Sequence, residues 1–216
     1  MTERLSKIYS ELPSCKIFAD IGCDHGYISK AMLDGGKCEK VILSDVSAKC
    51  LKKAENLLSE YISKGKAVAI VSDGFDNLPN SDLSLIAGMG GEEIILILQK
   101  AKTLPEKLVL QPMKNCDKVR RFLIENGYQI VVDFVFKAEE KFYDIIKCEK
   151  GQDSLTEEEI EFGRTNLLNR PCAFIERLSV NILALENRAN TPDMPKEVVN
   201  NCKREIERLN KYVKND

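Results

Sequence analysis

The chain has no tryptophan and a single histidine, His25. Its eight cysteines (15, 23, 38, 50, 116, 148, 172 and 202) include no C-x-x-C pair. One histidine and scattered thiols cannot complete a common zinc set, so no metal is expected. No stretch approaches the roughly 18 consecutive apolar residues of a membrane-spanning helix, and no membrane partner is expected. The segment Met1-Thr2-Glu3-Arg4-Leu5-Ser6-Lys7-Ile8 lacks the apolar core of a secretion signal and has the pattern of an amphipathic helix. A cytoplasmic location with reduced thiols is the expectation. Positive charge is not in excess either: the net charge is -2 at pH 7. That argues against non-specific coating of nucleic acid, but it leaves room for a local basic face that grips a structured RNA.

What is present is a rhythm. The 216 residues are 44% apolar and 31% charged, enough for one α/β domain with a small appendage. Up to about residue 150, short β-rich runs alternate with helical patterns, which predicts a mostly parallel sheet covered on both faces. The expected strands are 17–19 ending at Asp20, 41–43 ending at Ser44-Asp45, and 68–71 ending at Ser72-Asp73-Gly74. Two more are 83–87 ending at Gly88-Met89-Gly90-Gly91 and 108–110 ending at Gln111-Pro112. Ser47 is placed to cap a helix running to about Lys64, and another helix is expected from about Asp117 to Glu125. Runs 129–137 and 141–147, joined by a short charged turn, predict a closing antiparallel pair.

Past Gly151 the β signal stops. Thr156-Glu157-Glu158-Glu159 is a capping box, and helical patterns continue to about Arg188, with Pro171 starting or kinking a helix. Two apolar stripes, Ile175-Leu178-Ile182-Leu185 and Val198-Val199-Cys202-Ile206-Leu209-Val213, predict an antiparallel, coiled-coil-like hairpin. The expected division is residues 1–150 and a helical appendage over 151–216.

Chemistry collects at the strand ends. Asp20-x-Gly22, Asp45, Asp73-Gly74 and Gly88-x-Gly90-Gly91 fall one per strand, each at a carboxyl end. In a doubly wound sheet such loops converge on one edge, where ligands bind. Gly22 and Gly26 are expected to let a ligand approach the backbone. Asp45, with Val46 beside it, sits where an acid accepts from ribose hydroxyls. Asp73 is placed to accept from the amine of an adenine. Gly88 to Gly91 opens the next helix and would let backbone approach the reacting centre, with Ala87, Gly88, Met89 and Gly90 as candidate cofactor contacts.

An acid after the second strand suits either NAD or S-adenosylmethionine. Two features favour the methyl donor. The loop Asp20-Ile21-Gly22-Cys23-Asp24-His25-Gly26 lacks the G-x-G-x-x-G fingerprint that cradles a pyrophosphate. Crowded carboxylates also suit a sulfonium and an ammonium better than a phosphate. The expected fold is therefore a Rossmann-like class I S-adenosylmethionine-dependent methyltransferase fold.

Three motifs carry a resemblance. Asp20-Ile21-Gly22-Cys23-Asp24-His25-Gly26-Tyr27, Ile86-Ala87-Gly88-Met89-Gly90-Gly91 and Leu110-Gln111-Pro112 together resemble the bacterial tRNA (adenine(22)-N1)-methyltransferases. In that family the first motif usually reads D-I-G-S-D-H-A-Y, so Cys23 and Gly26 are departures. The resemblance spans residues 1 to about 150 and extends to the C-terminal helical appendage. It implies S-adenosyl-L-methionine as donor and an adenine in the D-arm of tRNA as acceptor. Adenine N1 already has an in-plane lone pair, so the protein must position the base and stabilise developing positive charge. The candidates are Asp24, through charge or by accepting from the adenine amino group, Tyr27 to stack on or bound the base, and His25 to orient Asp24 or touch the donor, with Cys23 in the same loop. Gly91, Gln111, Pro112, Lys114, Arg120 and Arg121 are candidate tRNA contacts, with further arginines and lysines on the appendage. The structural alternatives are that Asp24 caps a helix, Tyr27 belongs to the core, His25 is a structural hydrogen-bonding residue and Gln111-Pro112 is an ordinary strand exit. A small-molecule methyltransferase, a non-catalytic RNA-binding protein and an NAD-dependent oxidoreductase stand as alternative functions. No protein partner is implied.

Overall fold

Strands and helices alternate through the first 150 residues of the computed structural model, which describes residues 1–214. The order is α1 (Glu3–Glu11), β1 (Ile17–Ile21), α2 (Tyr27–Asp34), β2 (Lys40–Asp45), α3 (Ala48–Leu57), α4 (Ser59–Ser63), β3 (Ala67–Val71), β4 (Leu83–Met89), α5 (Gly91–Lys100), β5 (Lys107–Pro112) and α6 (Cys116–Glu125). The hairpin β6 (Tyr128–Ala138) and β7 (Lys141–Lys150) follows, then α7 (Glu157–Phe162), α8 (Arg164–Asn169), α9 (Cys172–Ala189) and α10 (Lys196–Val213).

The sheet order is β3-β2-β1-β4-β5-β7-β6. β1 to β5 are parallel, and β7 is antiparallel to both its neighbours. Alternate residues of each parallel strand feed opposite faces, as the period of two requires. Phe18, Val41, Leu43 and Leu85 enter one core with Ile8 and Met32. Ala19, Ile42, Ile86 and Leu110 enter the other with Ile94, Val119 and Leu123. The chain leaves β1 for β2 on one side and returns to β4 on the other, so a crevice opens beyond the carboxyl ends of β1 and β4.

The third strand ends at Val71 as expected, the other strands end one to three residues beyond the expected ends, and two expected helices are interrupted. The helix capped by Ser47 bends at Leu58 (φ -103°, ψ 17°), dividing α3 from α4. Its hydrogen bonding continues through the bend, Leu58 donating to Ala54 O and accepting from Ile62 N, both 2.9 Å. The bend turns the fully buried Leu58 onto the first loop at Gly26. The second break, at Gly163 (φ +88°), separates α7 from α8. A Cβ at Gly163 would lie 2.6 Å from Asp133 Oδ2, so the chain crosses there as bare backbone.

The Thr156 capping box forms as expected, and Pro171 stands at the start of α9. Arg170 Nη2 donates to Tyr212 O at 2.8 Å, so the start of α9 meets the end of α10 in a hairpin. Val135 of β6 joins Phe162, Phe174, Leu178, Ile182 and Leu209 in a third apolar cluster that fastens these helices to the sheet. Among the described residues no helix is long and apolar enough to cross a membrane.

Candidate active site at the carboxyl ends of β1 and β4

The loop after β1 is stitched to the end of β2. Gly22 N and Cys23 N donate to Ser44 O at 2.8 and 2.9 Å. The Asp45 carboxylate accepts from Asp24 N at 3.1 Å and from Ser47 N at 2.8 Å. Gly22 has φ +72°, a left-handed conformation that strains any side chain, and its open face lies against the Met89 tip. Gly26 (φ +72°) is the N-cap of α2 and offers no side-chain cap, which removes the capping role considered for Asp24.

Asp24 itself holds φ +47°. Its side chain turns outward, 60% exposed, with Oδ2 2.6 Å from His25 Nδ1. An ionised carboxylate only accepts, so Nδ1 carries the proton and Nε2 is left at the free edge of the ring. The His25 ring stacks on Tyr27, with centroids 5.5 Å apart and planes 5° from parallel.

Asp24, His25 and Tyr27 rim a cavity of about 350 Å³ that Asp20, Gly22, Cys23, Ala87, Gly88 and Met89 also line. Asp20 is buried in its wall and accepts from the Ser29 hydroxyl at 2.7 Å. Burial pushes the Asp20 carboxyl up to about 6; the Ser29 hydrogen bond works against that shift and the Asp45 charge adds to it. Two carboxyl groups beside bare backbone suit a cationic ligand. Arg4 of α1 lines the same cavity, although nothing in its local sequence marks it. Its Nη1 donates to Gln111 Oε1 at 2.6 Å.

Several expected site residues lie elsewhere or are already engaged. Val46 is exposed on the rim beyond Asp45. Asp73 is ion-paired with Lys100. Gly74 and Gly26 serve packing rather than ligand approach, since a Cβ would meet Ile97 Cγ2 at 2.8 Å and Ala54 Cβ at 2.9 Å respectively. Gly90 faces the Lys114 stem, while Gly91 is buried against the backbone carbonyls of Lys114 and Asn115. Lys114 is exposed, and Arg121 is exposed but paired with Glu157.

Two assignments are corrected. Gln111 does not read a base edge: it is fully buried, its Oε1 holds Arg4, and its Nε2 donates to Pro112 O (3.2 Å) and Met113 Sδ (3.4 Å). Pro112 is buried with it. Arg120 does not reach RNA: it is fully buried and ion-paired with Asp133 at 2.7 Å. On the appendage, Arg164, Arg177 and Arg208 are likewise turned inward onto acids, whereas Arg188, Lys203, Arg204 and Lys211 are exposed.

A methyltransferase-domain family model matches residues 1–146. A Mycoplasma pneumoniae protein provisionally named a tRNA methyltransferase is 35% identical over 155 residues, which cover 68% of this chain and 71% of that protein. The tRNA (adenine(22)-N(1))-methyltransferase of Bacillus subtilis is 27% identical over 161 residues, covering 70% of this chain and 66% of that enzyme. A Streptococcus pneumoniae protein provisionally described as a tRNA (m1A22) methyltransferase, solved in complex with S-adenosyl-L-methionine, superposes with a TM-score of 0.87 at 24% identity. That likeness covers 99% of this chain and 100% of the other, so the fold extends through the C-terminal helices. The chain therefore belongs to the methyltransferase-domain family. Within it, the relative at 35% identity is one provisionally named a tRNA methyltransferase.

Proposed function

We propose that this protein methylates N1 of adenine 22 in the D-arm of tRNA, with S-adenosyl-L-methionine as donor. The observation that carries the proposal is the Asp24–His25–Tyr27 group on the rim of an acid-walled cavity where β1 and β4 end. Family membership supports the reaction, and the Bacillus subtilis relative's name supports the position.

The residues present fit the donor. Asp20 and Asp24 would face its cationic end, and Cys23, Ala87, Gly88 and Met89, which line the same cavity, would form the wall along it. Asp45 keeps acceptor capacity for a ribose hydroxyl beyond its two backbone contacts, with Val46 beside it. Asp73 follows β3 and would accept from the donor's base only by giving up its Lys100 partner, while Gly74 packs on Ile97. When bound, the donor supplies an electrophilic methyl group on a sulfonium.

The acceptor nitrogen needs no general base, so the protein's task is placement and charge. Asp24, negative and exposed beside the cavity, lowers the energy of the positive charge that develops on the purine. His25 holds the Asp24 carboxylate in place through Nδ1. Tyr27, 48% exposed and backed by the His25 ring, offers a flat face for an adenine drawn out of its stem. Exposed Lys114 is a candidate phosphate contact, as is Arg121 if tRNA displaces its Glu157 partner. Residues 151–216 form the second tRNA-contacting part, through exposed Arg188, Lys203, Arg204 and Lys211. In this reading the protein works in the cytoplasm, where its substrate is made.

Tritiated methyl incorporation into unmodified tRNA tests the proposal. Label is expected in tRNA carrying adenine 22 and absent from the same tRNA with that base replaced. Equal labelling of both would overturn the position, and no labelling of either would overturn the reaction.

A further inference from the structure

We propose that Arg4 reads the carboxylate of the methyl donor and makes the site reject the decarboxylated sulfonium. The inference rests on the donor assignment above.

The argument starts from charge. An amino-acid sulfonium brings two cationic groups and one carboxylate. Asp20 and Asp24 in the cavity suit the cations but repel the carboxylate. Among the described residues, the only lysine or arginine lining that cavity is Arg4. Its side-chain hydrogen bond goes to a neutral amide, Gln111 Oε1, at 2.6 Å, which leaves the positive charge uncompensated. A guanidinium has five N–H donors in a planar fork, so most remain for a carboxylate.

The guanidinium is also held in place. Gln111 is fully buried, and its Nε2 is engaged by Pro112 O and Met113 Sδ, which fixes its oxygen toward Arg4. Arg4 Cζ lies 5.7 Å from the Tyr143 ring centroid. Gly88, at φ +80°, passes beneath; a Cβ there would lie 3.2 Å from Arg4 Nη1. The far end of α1 is anchored by Lys37 Nζ, which donates to Tyr9 O and Leu12 O at 2.9 and 2.8 Å, and by the Glu11–Lys147 pair. The helix thus presents a fixed cation to a cavity whose two carboxylates are Asp20 and Asp24.

Calorimetry with S-adenosylmethionine and decarboxylated S-adenosylmethionine reads this directly, because both keep the sulfonium. The wild type is expected to bind the carboxylated form about 10- to 100-fold more tightly, the range of a charge-assisted hydrogen bond. Arg4→Met is expected to bind both forms alike, near the wild-type affinity for the decarboxylated one, with a cooperative ligand-free melt at a temperature lowered by the unpaired Gln111 Oε1. Arg4→Lys is expected to keep part of the preference, which guards against a merely misfolded Arg4→Met. Amide exchange across α1 should slow when the wild type binds S-adenosylhomocysteine, and should not slow in Arg4→Met. An unchanged preference in Arg4→Met, or none in the wild type, overturns the proposal. A wild type that binds neither sulfonium overturns the donor assignment itself.

Discussion

Arg120 and Asp133 form an ion pair at 2.7 Å in which neither side chain reaches solvent beyond 1%. Arg120 also donates to Ile160 O at 3.1 Å and Glu161 O at 3.3 Å, so one guanidinium joins α6, β6 and the end of α7. Asp144 lies 3.6 Å from its Nη2 and is bound from the other side by Arg177 of α9 at 2.6 Å. The pairing ties the C-terminal helices to the sheet. Arg120→Met would leave Asp133 with a buried, uncompensated charge, a loss of about 3–5 kcal/mol. Replacing both partners (Arg120→Met with Asp133→Leu) should cost less. Urea denaturation of the two variants measures the difference, and equal losses would contradict this account.

Asp24 is expected to act through charge. Asp24→Asn keeps a residue that tolerates φ +47° and removes only the charge, whereas Asp24→Ala also strains the loop. Both should lower kcat about 100- to 1000-fold, with a smaller loss of donor affinity because Asp20 still lines the donor cavity. Single-turnover kinetics with calorimetry separates the two effects. Near-normal turnover in Asp24→Asn would show that the charge is not what Asp24 supplies.

Asp20 makes stability depend on pH. Its folded value, about 6, lies above the unfolded 3.8, so the folded state holds the proton more tightly. The destabilisation from ionising it is absent below the unfolded value, grows as pH rises toward 6, and is complete above it, at most about 3 kcal/mol. Asp20→Asn should therefore raise the ligand-free melting temperature at pH 8 and change it little at pH 4. The same variant should weaken donor binding at pH 8, where the lost carboxylate would face the ligand's ammonium. Melting curves between pH 4 and 8, with and without S-adenosylhomocysteine, check both signs.

Tyr27 is expected to serve by its ring. Tyr27→Phe should keep near-normal kinetics. Tyr27→Ala should raise the KM for tRNA about 10- to 100-fold, the range of one lost base stack, while donor affinity stays unchanged. A large defect in Tyr27→Phe would point to the hydroxyl instead.

What could be read without coordinates was local. The β-branched runs before Asp20, Asp45 and Gly88 mark buried strands and the loops after them, and the Thr156–Glu159 box lies within four residues. What escaped was long-range. Arg4 and Gln111 are 107 residues apart, and α1 reads only as an amphipathic helix until the fold sets its first turn over Gly88. Arg120 reads as a surface cation because helical charges usually are; its acids stand on a hairpin that had not yet been placed beside it. The burial of Gln111 follows from the same contact.

The most direct test is a crystal structure of this chain soaked with S-adenosylhomocysteine at saturating concentration. The ligand is expected between the ends of β1 and β4, its amino-acid end toward Asp20 and its sulfur near Asp24 and Tyr27. Density lodged elsewhere, or a rim left empty at that concentration, would contradict the account.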